Sequence, residues 1–445
     1  MHTPITATLT ELRSELQRGA IDPGAWVESV LASIEHEQSR INAFIRVDHD
    51  GARQAANESK QRFVNGKPRR LEGIPVAVKD NLDMAGMPTT AGMATRREHR
   101  AQADSAVVAR LRAAGAVIVG KLNMNEAALG ADGRNLHFGD CRNPLDPDCS
   151  PGGSSSGSAA AVAAGLVAAA IGTDTMGSVR IPAAYCGVWG FKPGTGRVST
   201  RGSVAVSRRL DHVGPLARSA GDLAIIDEVI SGPDPLCPVS MPVAQSAPEI
   251  DQRPVVGLLP LDPESMAAEV AGAYRYACDK LRAAGYRLQP LTALRLDPGR
   301  IRRAGLLVCE AELLIEHERH WQERREDFSD ELAGLMRWAE GKPATELVRS
   351  HRLLDQVRME MSKHLQQCNL LLLPTTPQCA FRLDEPTPAS QADYTCLANA
   401  AGLPAVSFPA SAGAGGLPVG LQLIAGAGHD RWLLQQAGLI EETIS

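Results

Sequence analysis

Aromatic side chains are scarce in this chain of 445 residues: 5 Trp, 5 Tyr and 7 Phe, or 4%. A surface that stacks bases needs such rings, so direct nucleic-acid binding is not expected. Positive charge is not in excess either. With 46 Lys and Arg against 51 Asp and Glu, the net charge is −5, which leaves no overall basic field for a polyanion. No apolar run approaches the roughly 20 residues of a bilayer-crossing helix. The longest, Ala159 to Ile171, is mostly alanine and reads as a helix buried in a protein core. The 9 cysteines include no C-x-x-C pair and no histidine at zinc-ligand spacing. Neither a structural metal nor a disulfide framework is therefore expected, and free thiols in a reducing cytoplasm are. No basic segment followed by an apolar stretch opens the chain, so no secretory signal is expected. His317 and His320, in IEHERHWQ, lack the H-E-x-x-H order of a zinc protease and are expected on a solvated, charged helix face.

What is present is ordinary globular composition, 44% hydrophobic and 22% charged, which excludes global disorder. Residues 1–65 read as helices. Thr8 and Glu11 fit a capping box, and Asp22-Pro23 opens a second helix. From residue 71 the pattern changes. Gly73 to Val78 is a short apolar run of strand type, Asp104 or Ser105 caps a helix through Arg112, and Ala116 to Val119 makes the next strand. Strand, helix, strand with short links is the pattern of α/β units with a largely parallel sheet. Residues 230–250 read as a surface excursion, and 263–370 as strongly helical. Strand signals return at Leu370–Leu373, Ala405–Phe408 and Val419–Ile424. Late strands able to rejoin an early sheet favour one large domain carrying a helical insertion.

The stretch Pro151 to Ala183, PGGSSSGSAAAVAAGLVAAAIGTDTMGSVRIPA, carries the most chemistry. A Gly/Ser loop opens an alanine-rich segment, and a second turn, Gly172 to Arg180, holds Asp174, Gly177, Ser178 and Arg180. From the serines alone a flexible linker, a packing motif and a phosphate cradle all stay open. The cradle is opposed by Ser158, which stands where a phosphate-binding lysine belongs.

This stretch resembles the signature of the amidase signature family of serine hydrolases, G-G-S-S-G-G-S, an alanine-rich helix, then G-T-D-T-G-G-S-I-R-x-P. Gly73–Asp80 is similar to the family's lysine-bearing strand, and Gly120–Glu126 to its next motif. Asn143-Pro144, Gly190–Pro193, Asp211–Pro215 and Leu417–Gln422 are similar as well. The resemblance implies a single α/β/α domain, a large mixed sheet between helical layers. Residues 70–225 would form the catalytic core, 230–390 a variable, mostly helical specificity region, and 391–445 the return to the sheet.

It also implies catalytic residues: Ser178 as nucleophile, Ser154 as a bridging serine on a cis peptide bond, and Lys79 as base. Ser155 would support them. A serine hydroxyl needs a base to take its proton, and a lysine serves only if its pKa is lowered. Read alone, Lys79 is a surface lysine paired with Asp80. The backbone N–H groups of Thr175, Met176, Gly177 and Ser178 are the candidate oxyanion donors. Asp174 and Arg180 are expected either as a buried pair bracing the turn or as a salt bridge at the rim.

Met176 and Ser156 stand where the family usually has glycine. The expectation is that Met176 keeps a right-handed or extended backbone and that its side chain narrows the acyl pocket. The implied reaction is hydrolysis of a linear amide of a small molecule to an acid and ammonia or amine, through an acyl-enzyme, with no metal or cofactor. Cys186–Gly190 and the Asp211-His212 region look closer to bacterial amidases for small polar substrates, such as carboxybiuret hydrolase. The alternatives are a glutaminase subunit of a tRNA-dependent amidotransferase with a small helical partner, and a non-catalytic scaffold. An isologous homodimer is compatible with the resemblance. Arg302, Arg303, His317, His320 and Arg349 are candidate carboxylate ligands, with solvated helix faces as the plainer reading.

Overall fold

The computed structural model describes residues 4–249, 253–412 and 416–445. Its first part holds α1 (Leu9–Gln17), α2 (Pro23–Ile41), β1 (Phe44–Val47), α3 (His49–Val64), β2 (Pro75–Lys79), α4 (Ala106–Ala113) and β3 (Val117–Leu122). The capping box at Thr8 and Glu11 is present, and Asp22 and Ser105 cap α2 and α4. Then follow α5 (Ser156–Ala163), β4 (Ala169–Asp174), α6 (Arg180–Cys186), β5 (Trp189–Lys192), β6 (His212–Ala217) and α7 (Ala220–Ile230). The helical part comprises β7 (Val256–Leu258), α8 (Ala268–Ala283), β8 (Leu288–Pro290), α9 (Pro298–Glu316), α10 (Glu318–Glu323), α11 (Asp330–Glu340) and α12 (Ala344–His364). The chain closes with β9 (Leu370–Pro374), α13 (Cys396–Ala401), β10 (Ala405–Ala412), β11 (Pro418–Ala425) and α14 (Asp430–Ile444).

All of these strands join one 11-stranded sheet in the order β1-β3-β2-β4-β6-β5-β10-β11-β9-β7-β8. β2 pairs in parallel with β3 and β4, and β7 with β8 and β9. The remaining neighbours are antiparallel, so the sheet is mixed rather than largely parallel. The late strands β9, β10 and β11 do rejoin the early ones, between β5 and β7. Side chains alternate across a strand. Leu370 and Leu372 accordingly enter one core with α1, α2, α4, α5, α7 and α14, while Leu371 and Leu373 enter a second with α9, α11, α12 and α13. The fold is thus an α/β/α sandwich.

Two local expectations are corrected. The alanine-rich run is not one helix: α5 stops at Ala163, Gly165 turns the chain at φ +67°, and β4 takes the rest. A strand buried on both faces has no apolar alternation, so periodicity cannot separate it from a buried helix. Residues 1–65 contain the edge strand β1, too short to show a pattern. Within 230–390 the short strands β7 and β8 accompany the helices, and β9 falls on the expected strand signal Leu370–Leu373. No described helix is long and apolar enough to cross a membrane.

Candidate active site

Two neighbouring parallel strands end at the same edge of the sheet. Lys79 is the last residue of β2 and Asp174 the last of β4. Ligand sites of open α/β sheets lie at the carboxyl ends of parallel strands, and here both deliver polar groups into a closed interior. The Lys79 Nζ lies 2.7 Å from the Ser154 Oγ and 2.9 Å from the Thr173 Oγ1. Lys79 and Ser154 are fully buried. Burial pulls the lysine pKa from the usual 10.5 to about 7, although Asp211 and Asp174 favour its charged form. Asp80 does not pair with it. Asp80 forms an ion pair with Lys121 at 2.9 Å and accepts from the Thr90 N–H at 3.0 Å.

The Gly153–Ser154 peptide bond is cis. Ser155 ties this loop to the second turn: its N–H donates to the Ser178 carbonyl at 3.1 Å, and its Oγ both donates to the Thr173 carbonyl and accepts from the Thr173 N–H. The approach requires glycine at 172, where a Cβ would stand 2.7 Å from the Ser155 Oγ. Ser178 keeps 8% exposure. No hydrogen bond joins its hydroxyl to that of Ser154 among the described residues.

The turn from Thr175 to Val179 is braced by a fully buried ion pair. Arg180 donates through Nε to Asp174 Oδ2 and through Nη2 to Oδ1, each at 3.0 Å. The guanidinium, with burial opposing it, holds the Asp174 carboxyl well below the usual range. Asp174 also accepts from the Val179 N–H at 3.2 Å and the Gly177 N–H at 2.9 Å. That last bond corrects the oxyanion set: the Gly177 N–H is taken by Asp174, leaving Thr175, Met176 and Ser178 as candidate donors. Met176 is not among the positive-φ residues, while Gly177 is, at φ +135°.

Side chains from the C-terminal part complete the bracing, and these the sequence did not single out. The Thr395 Oγ1 donates to the Met176 carbonyl at 2.6 Å. Asn399 donates to Asp174 Oδ1 at 2.8 Å, and Gln422 accepts from Arg180 at 2.9 Å. Gln422 lay within a recognised motif, but nothing marked its partner, and Thr395 and Asn399 carried no local signal. On the other flank the Thr175 Oγ1 donates to Asp211 at 2.6 Å, whose carboxyl burial pushes up to about 6.

The amidase family model matches residues 25–434. The chain belongs to the amidase family. Its reaction is therefore of the family's class, hydrolysis of carbon–nitrogen bonds in amides. The chain is 36% identical over 475 residues to a glutamyl-tRNA(Gln) amidotransferase subunit from Anaeromyxobacter sp. (strain K), covering 98% of this chain and 96% of the relative. Among solved structures it is similar to a chain of a vestigial protein complex that reveals the evolutionary origins of an s-triazine catabolic enzyme, with TM-score 0.90, 31% identity and 98% of both chains covered. It is similar also to a crystal structure of an amidase, with TM-score 0.89, 32% identity, and 99% and 100% covered.

The basic residues singled out in the helical region of this amidase are not gathered at the turn. Arg302 pairs with Asp393 at 2.6 Å, Arg303 with Glu310, and the exposed Arg349 with Glu346. His317 is a correction. It is buried, not solvated; its ring packs edge-on to Phe328 with centroids 6.5 Å apart, and burial pulls its pKa down to about 3. His320 is half-buried. Among the described residues no group of His, Cys, Asp and Glu is placed to hold a metal ion.

Proposed function

We propose that the enzyme hydrolyses a linear amide of a small molecule through an acyl-enzyme on Ser178, with Ser154 and Lys79 as the proton path. One observation carries this reading: a wholly buried lysine 2.7 Å from a serine hydroxyl, with a pKa near neutrality and no contacting carboxylate among the described residues. The Ser178 Oγ attacks the amide carbon while its proton passes to Ser154 and that of Ser154 to the Lys79 amine. The tetrahedral oxyanion is met by N–H groups of the braced turn, each worth about 10²–10³ in rate by analogy with other acyl-transfer sites. Lys79, now an ammonium, returns a proton through Ser154 to the leaving nitrogen, and the C–N bond breaks. Water then takes the same path against the ester. Asp174, Arg180 and Ser155 hold the turn without touching the reacting atoms.

Labelling with a fluorophosphonate followed by peptide mapping tests the nucleophile without knowledge of the substrate. A single adduct on Ser178 that is weakened in Ser154→Ala and Lys79→Ala supports the reading; an adduct elsewhere, or none on the folded chain, defeats it.

A second reading follows from the 36% identity to one chain of an amidotransferase over nearly the whole length. It makes this protein a glutaminase subunit that works only with partner chains. Ammonia release from glutamine only upon adding a small helical partner would favour it, and hydrolysis of simple amides by the isolated chain would favour the first. A cytoplasmic location and assembly as a homodimer or with such a partner belong to the same proposal, and light scattering on the purified protein reads the assembly.

A further inference from the structure

We propose that Met176 gauges the acyl group: its thioether, seated in a notch that Gly305 opens in α9, fills the space beside the nucleophile turn and restricts the substrate to short acyl chains. The inference rests on the reading of Ser178 as nucleophile.

Gly305 is buried inside the long helix α9, where glycine costs stability relative to alanine. It has no positive φ and ends no turn, so its backbone does not call for it. Its neighbour does. A Cβ at 305 would stand 2.8 Å from the Met176 Cε and 2.9 Å from its Sδ, closer than real side-chain contacts; the next atom, a Leu210 Cδ1, lies at 3.9 Å. The missing methyl is thus the seat of the thioether.

Both sides of this contact are fixed. Glu312, seven residues on and so on the same helix face as Gly305, accepts from the Ser207 Oγ at 2.6 Å and the Arg208 N–H at 2.7 Å. Three residues later Asp211 holds Thr175. Thr395 holds the Met176 carbonyl, and a Cβ at Gly177 would lie 2.2 Å from the Thr395 Oγ1, so the turn has no room to slide. The chemistry assigns the side. The leaving nitrogen must face Ser154, which delivers its proton, so the acyl chain extends away from Ser154. On the proposed reading Met176, the long side chain of this turn, stands on that side, two residues before Ser178, a residue only 8% exposed.

The test uses alkyl fluorophosphonates with methyl, butyl and octyl chains on phosphorus. In the adduct a Ser178 Oγ–P bond forms, the P–F bond breaks, fluoride leaves and the serine proton passes to Ser154. The expected octyl-to-methyl ratio of labelling rates is low in the native chain and rises about tenfold or more in Met176→Ala, the scale of methylene discrimination in apolar pockets. Met176→Val gives an intermediate ratio and decides the matter if Met176→Ala does not fold. Gly305→Ala, which drives the thioether out of its seat, slows every probe, and adding Met176→Ala to it restores the rate. A native profile independent of chain length, or Met176 variants that scale all three probes equally, overturns the inference while leaving the nucleophile reading in place. Absence of any adduct on native Ser178 overturns both.

Discussion

Lys79 and Lys121 stand on the adjacent parallel strands β2 and β3, offset by one residue in register, and both are wholly buried. Their surroundings are opposite. Lys121 meets the Asp80 carboxylate at 2.9 Å and lies near the Pro88 carbonyl and Thr89 hydroxyl, a cation with a counter-ion. Lys79 meets two hydroxyls, those of Ser154 and Thr173. Asp80 follows Lys79 directly in sequence, yet it faces Lys121 and Thr90 instead. Burial without a contacting carboxylate disfavours the ammonium; burial with one makes a structural ion pair. An amine that sheds its proton near neutrality is left here by burial and by diverting the nearest acid to Lys121, not by adding a group.

The largest test of that contrast is Lys79→Met. Loss of the proposed general base is expected to lower the hydrolysis rate, or probe labelling at Ser178, by about 10²–10⁴, with the fold retained in circular dichroism. Its stability has a sign as well. The native lysine pKa of about 7 lies below the usual 10.5, so between these values the unfolded chain binds more protons and stability rises with pH. Urea titrations across pH 7–10 should show that rise flattened in Lys79→Met.

Lys121→Met should act the other way, on folding before chemistry. It leaves Asp80 buried without a counter-ion, at a cost of about 3–5 kcal/mol. Adding Asp80→Asn should recover much of the loss in urea denaturation. If Lys121→Met costs no more stability than Lys79→Met, the contrast between the two lysines is broken.

Thr173→Val removes an acceptor shared by Lys79 and Asn81. A loss of about 1 kcal/mol in transition-state stabilisation is expected, read as kcat/KM. The smallest effect belongs to Asp211→Asn. Asp211 favours the charged lysine, so its removal should lower the Lys79 pKa further and move the rising limb of the pH–rate profile below its place near pH 7. A limb that moves upward would show that another group sets it.

Much of this site was legible in the chain because its parts are local. Lys79 ends a strand that reads as a strand, and Asp174, Gly177, Ser178 and Arg180 share one turn, so their mutual bonds follow from short spacing. The misses are those in which a distant partner decides. The Gly177 N–H looked available until the Asp174 carboxylate was seen to occupy it. His317 read as a charged surface group until packing against Phe328 buried it. Thr395, Asn399 and Gln422 reach the turn from more than two hundred residues away along the chain, and no periodicity encodes that.

By itself the sequence determined the alternation of strands and helices, the order of the chemical groups and the family to which the chain belongs, since these depend on side-chain type and near-neighbour spacing. Tertiary structure alone decided which of Lys79 and Lys121 meets an acid, which amide of the turn Asp174 occupies, and that Met176 faces a helix glycine. Those properties arise from burial and from contacts between distant segments, and both exist only once the sheet has closed and its two faces are covered.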